Sequence, residues 1–295
     1  MLNRRILRIK VFKTIYSYAE NPGMTVKEAE AQLEESCEST RDLYLFLLSI
    51  VAPLTAEARN RIEAAKSKFN PSEEEKNPKL KFVENSIAPL LENDPDFAKI
   101  IKKKKFTWDQ YDAILRHLYE NIREREYFTR YMDVPERSLK QDAELWADIF
   151  ANELQDNDEL REILEDSSIF WNDDVDYVIN LCCKTFEELG KGGRWALPEL
   201  FRNDDKAFVV NVLRKAVNNF DRYYQEVASR TPKWDKNRIC TADLCLIVAG
   251  QAEAEAFKDT AKKIIINEYV EISKFYSTHE SKAFVNGLLD KIINQ

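Results

Sequence analysis

Glycine is scarce in this sequence, at six of 295 residues, and proline is nearly so at nine. Phosphate-cradling loops and tight-turned sandwiches depend on glycine, whereas helix interiors are weakened by it. The deficit therefore argues against the first two and for helices. Histidine occurs only as His117 and His279. The five cysteines (Cys37, Cys182, Cys183, Cys240, Cys245) form an odd, irregular set with no CxxC pair. That pattern argues against a zinc site or a disulfide framework and for reduced thiols, with Cys240 and Cys245 in an apolar, core-like setting. No stretch approaches the roughly 18 apolar residues of a membrane span. The basic N-terminus lacks the apolar run and small-residue cleavage site of a secretory signal. A soluble, cytoplasmic protein is the expectation. Motifs of the HExxH, GxSxG or GxGxxG kind are missing as well. Gly190-Lys191-Gly192-Gly193 has its lysine ahead of the glycine pair and Arg194 after it, so it reads as a helix stop rather than a Walker loop. Neither catalysis nor a cofactor is expected.

What the chain does contain is charge, at 33%, and apolar residues, at 44%, arranged at helical spacing. The sequence predicts an all-α protein. Its net charge of −8 means that any contact with nucleic acid must be made by a local patch. One such patch opens the chain. Arg4, Arg5, Arg8, Lys10 and Lys13 come before any acidic residue. Arg5, Ile9, Phe12 and Tyr16 share one helical stripe, and the basic start is expected to project from a body in which the later turns are buried. Arginine binds phosphate in bidentate fashion and tyrosine offers a stacking face, so this helix reads either as an RNA contact or as an ordinary basic helix start. The run Lys102 to Lys105, bounded by Phe106 and Trp108, is likewise either a nucleic-acid contact or a solvated helix end.

Asn21-Pro22-Gly23 ends the first helix, and Thr25 with Glu28 predicts a capping box for the second. Asn70 to Pro78 is the best linker candidate. Helical patterns cover Lys79–Leu91, Trp108–Met132, Asp142–Leu154, Asp158–Glu165, a segment from Asp173/Asp174 to Gly190, and one long helix Asp205–Ala228. Pro232-Lys233-Trp234 marks a turn, after which the chain is expected to be helical to Gln295 apart from one turn near Tyr276–His279.

The C-terminal segment adds a resemblance. Ile266-Asn267-Glu268-Tyr269-Val270-Glu271-Ile272-Ser273-Lys274 resembles the INEAVELAK signature of the NusB family. Ser281-Lys282-Ala283-Phe284-Val285-Asn286-Gly287-Leu288-Leu289-Asp290-Lys291 resembles the SxKFVNGVLDK that follows it. At the other end, Arg4-Arg5…Arg8 with Ile15-Tyr16-Ser17 is similar to the family's RRxAR…LYS opening, and Asp235-Lys236-Asn237-Arg238-Ile239 to the start of a later family helix. The sequence departs from the family at Ala261, where a proline is usual, and near Ser277-Thr278, where a glycine is common. The resemblance covers about residues 1–35 and 205–295. Residues 36–204 read as an inserted helical subdomain, folded rather than disordered, in a NusB-like bundle.

The resemblance implies an RNA-binding transcription antitermination factor. Such a protein binds single-stranded boxA-type RNA of ribosomal RNA transcripts together with NusE, the ribosomal small-subunit protein, within the RNA polymerase antitermination complex, and a homodimer is compatible with it. By position, Arg4, Arg5, Arg8, Tyr16 and Lys282 are the implied RNA contacts, and Glu280 and Phe284 face the protein partner. From the residues alone, Phe284 is equally readable as core. Asn267 and Glu268 read as capping or interhelical hydrogen-bonding groups, and Asn286-Gly287 as a close-packing position. The competing reading is a helical protein-interaction scaffold that has kept the fold and lost the RNA.

Overall fold

The computed structural model describes residues 1–231 and 239–294. The turn expected at Pro232–Trp234 and the Asp235–Arg238 part of the resemblance lie outside the described residues. Sixteen α-helices are present among those residues, and no strand. The chain divides into two compact units, Met1–Glu38 with Glu199–Gln295 and Ser39–Pro198, and the boundary falls inside the second helix.

The first unit holds α1 (Arg4–Glu20), the start of α2 (Val26–Leu48), α12 (Asp205–Asn218), α13 (Phe220–Arg230), α14 (Thr241–Ala256), α15 (Lys262–Tyr276) and α16 (Ser281–Ile293). Its central element is α14, which is apolar all round: Leu244 to Ala249 are buried without interruption, as in a helix enclosed by others. Helices α1, α12, α15 and α16 pack around it. The approach of α16 depends on Gly250. A Cβ there would lie 2.8 Å from Leu289 Cδ2 and 3.3 Å from Tyr269 Cδ2. The close-packing glycine is therefore Gly250 and not Gly287, where a Cβ would meet nothing within 4 Å.

The second unit holds the rest of α2, then α3 (Val51–Lys66), α4 (Glu73–Lys76), α5 (Ile87–Glu92), α6 (Pro95–Lys104), α7 (Asp112–Glu124), α8 (Glu126–Asp133), α9 (Leu139–Ile149), α10 (Asp158–Ser167) and α11 (Val175–Gly190). Its core is aromatic. Phe46 stacks on Trp108 at 4.5 Å and on Trp171 at 5.4 Å, and Phe82 meets Tyr119, Phe128 and Trp146. A π-helical turn, Phe150–Leu154, extends α9 and carries buried Glu153, which accepts from Arg125 and from the Tyr127 hydroxyl.

The capping box at Thr25 and Glu28 is formed in both directions, and the stop after Gly190 uses Gly192 at φ +84°. Other expectations are corrected. Residues 79–86 are not helical and turn at 81–84, where buried Lys81 donates to the Val134 carbonyl and buried Asn85 to that of Phe82. The pattern Trp108–Met132 is broken at extended Arg125, and Asp205–Ala228 at Asn219, whose side chain bonds back to the Lys215 carbonyl. A further break at residues 257–261 separates α14 from α15. The linker candidate Asn70–Pro78 lies inside the second unit and contains a capped turn, Ser72 boxing Glu75. Cys245 is core, but Cys240 is exposed.

Candidate nucleic-acid interface

Asn3 caps α1 by accepting from the Ile6 amide, and the buried Met1 and Leu2 tie the start of the chain down. The Leu2 amide donates to the Leu200 carbonyl at 3.1 Å, and the Met1 ammonium to that of Glu199. The basic start therefore does not project. It is clamped, because it has a carboxylate partner at every arginine.

Arg4 reaches Asp204 at 2.6 Å and Asp205 at 2.7 Å, with its guanidinium 4.1 Å above the Phe208 ring. Arg5 forks onto Glu268 with bonds of 3.0 and 2.8 Å, and its side chain stays 52% exposed. Arg8 is buried and forks onto Glu253, which is 0% exposed, at 2.9 and 2.7 Å. Glu253 also accepts from the buried Tyr269 hydroxyl at 2.9 Å. Burial first, and the Glu253 carboxylate next, push that phenol well above its ordinary pKa, so it remains a donor. The Arg5 hydrogen bond draws the Glu268 carboxyl below its ordinary range, and Glu268 is thus the interhelical group that the INE motif suggested.

One turn further along α1 the character of the surface changes. Tyr16 is 41% exposed at the edge of a recess of about 470 Å³ lined by Phe12, Lys13, Cys240, Thr241, Ala242 and Tyr276. Phe12 meets Tyr276 edge-on at 5.4 Å, and Lys13 Nζ lies 5.9 Å from the Tyr276 ring centre. A cation beside an apolar, aromatic recess can hold a phosphate while a base stacks on a ring. Sequence alone marks Lys13 as part of the acid-free start but does not place it or Tyr276 at a site. Tyr276 is brought in by the packing of α15 and carries no local signal. On α16, Glu280 and Lys282 are exposed, and Phe284 is half-buried, between the two readings of it.

Among the described residues no group of three or more His, Cys, Asp or Glu could hold a metal ion. No described helix is long and apolar enough to cross a membrane.

The NusB family model matches residues 196–294. That stretch is similar to the NusB family. Proteins named transcription antitermination protein NusB are similar to the chain: 32% identity over 111 residues in Chloroherpeton thalassium, covering 37% of this chain and 53% of that protein. In Methylacidiphilum infernorum the identity is 35% over 89 residues (30% and 62%), and in Alkaliphilus oremlandii 31% over 90 residues (30% and 65%). The match thus spans between about half and two thirds of each NusB relative. No solved structure is significantly similar to the chain. The NusB-family stretch contains Asp204, Asp205, Glu253 and Glu268, the carboxylates that clamp α1, together with the α15 and α16 motifs.

Proposed function

We propose that the NusB-like unit binds single-stranded RNA of the boxA type and acts, without catalysis, in transcription antitermination of ribosomal RNA genes together with NusE and RNA polymerase. The observation that carries this reading is the exposed Tyr16 at the recess beside Lys13 and Tyr276. The similarity to NusB proteins supports the choice of process. In this reading Tyr16 stacks on a base and Lys13 and Lys282 meet phosphates. Arg5, the most exposed of the three arginines, exchanges Glu268 for a phosphate. Arg4 and Arg8 act as positioning residues that hold α1 against its neighbours. Glu280 and Phe284 supply the edge facing NusE.

Base stacking is worth about 1–3 kcal/mol per base. Tyr16→Ala is therefore expected to weaken binding of a boxA RNA, measured by fluorescence anisotropy with and without NusE, by roughly tenfold, with the helical circular dichroism unchanged. Equal affinity in the two proteins would count against the site. The engagement of all three arginines by carboxylates favours a second reading, a helical scaffold that binds protein alone. In that case NusE binds and the RNA does not, whichever residue is changed.

A further inference from the structure

We propose that the inserted unit carries an RNA-backbone contact of its own, on the exposed stripe of α6. This helix is capped at its start by Asp94, whose carboxylate accepts from the Asp96 and Phe97 amides, and its first helical residue is Pro95. It buries Phe97, whose ring meets Trp195 at 5.0 Å, and half-buries Ile100 and Ile101. Lys99, Lys102 and Lys103 stand at i, i+3 and i+4 on the opposite face, all exposed. Lys105 follows as the left-handed C-cap at φ 58°.

Cations in the last turn of a helix are favoured by the helix dipole, but that effect is about 0.3–1 kcal/mol and one or two residues satisfy it. Five lysines within residues 99–105 exceed that need and repel one another. Lys104 is neutralised by Asp42 at 2.7 Å. Lys99, Lys102, Lys103 and Lys105 have no carboxylate partner among the described residues, whereas several exposed cations elsewhere in this unit are paired, as Lys68 with Glu75, Lys79 with Asp133 and Arg137 with Glu84. An uncompensated cationic stripe in a chain of net charge −8 is a local polyanion site.

RNA fits this stripe better than a membrane surface. The aromatic residues beside it, Phe97, Phe106 and Trp108, are buried or half-buried, so these rings are not free to insert into lipid. The lysines are point charges without a fork or a ring beside them, so the contact follows phosphates and reads no sequence. The choice of RNA rests on the reading proposed above for the NusB-like unit.

The test uses the full chain, a polyuridylate of about 30 nucleotides and a short boxA RNA, each titrated over a range of salt. Changing Lys99, Lys102 and Lys103 together to Gln leaves the left-handed Lys105 and the paired Lys104 intact. We expect the triple variant to bind polyuridylate roughly tenfold more weakly. Its log–log salt slope should flatten by about 2, at about 0.7 per phosphate released on single strands. Short boxA RNA should be bound as before. Unchanged polyuridylate affinity and slope in the triple variant overturn the inference and leave the boxA site standing. Loss of short-RNA binding in the triple variant, with Tyr16→Ala silent, overturns the boxA site and keeps the α6 contact. Lysine-dependent binding to phosphatidylserine vesicles, with none to polyuridylate, overturns the inference in favour of a membrane surface.

Discussion

Removing Arg8 would strand Glu253, a fully buried carboxylate that, among the described residues, otherwise accepts from the Tyr269 hydroxyl. Breaking a buried pair from one side costs about 3–5 kcal/mol, because the remaining charge has lost its counter-ion and cannot reach water. Arg8→Ala is therefore expected to lower the stability of the NusB-like unit by that amount in a urea titration. Replacing Arg8 and Glu253 together by Met and Leu should cost far less. Arg5→Ala, which breaks a half-exposed pair with Glu268, should cost about 1 kcal/mol or less. If Arg8→Ala proves as mild as Arg5→Ala, the Arg8–Glu253 pair does not clamp α1.

Helix α14 sets the spacing of its neighbours through the small residue it places opposite α16. A side chain at Gly250 has to displace Leu289, so Gly250→Leu overpacks the contact at about 1–3 kcal/mol, offset by at most about 1 kcal/mol of gained helix propensity. Gly287 lies within α16 with open space beside it, and Gly287→Ala is expected to stabilise by about 0.5–1 kcal/mol. Thermal unfolding of the two variants should move in opposite directions. A shift in the same direction would show that packing does not distinguish the two glycines. The contrast was hidden at the level of sequence, since both glycines sit in helical, apolar surroundings and only the position of Leu289 separates them.

Residues 39–198 form one compact unit with a continuous aromatic core, interrupting a unit assembled from the two ends of the chain. Such an interruption is tolerable because the closure cost of an insert grows only slowly with its length. The unit is expected to resist limited proteolysis of the full chain, with early cuts confined to the Asn70–Pro78 turn and the Gly190–Gly193 stop. Rapid digestion throughout residues 80–190 would mean that this core is not formed in solution.

The sequence by itself determined the helical class, the capping box at Thr25, the stop at Gly190 and the similarity of the last hundred residues to the NusB family, because each is written in local spacing or in a contiguous motif. It did not determine the breaks at Arg125 and Asn219. Helical periodicity continues across both, and a single backbone turn there is set by what the neighbouring helices bury. Nor did it determine the state of the N-terminal arginines. An acid-free run looks like a free cationic surface until α12, α14 and α15 deliver Asp204, Asp205, Glu253 and Glu268 from about 200 or more residues away in the chain. The converse holds on α6. There the lysines are equally plain in the sequence, and only the tertiary structure decides that no carboxylate among the described residues comes to meet three of them on its exposed stripe, since charge compensation depends on which distant side chains packing brings within reach.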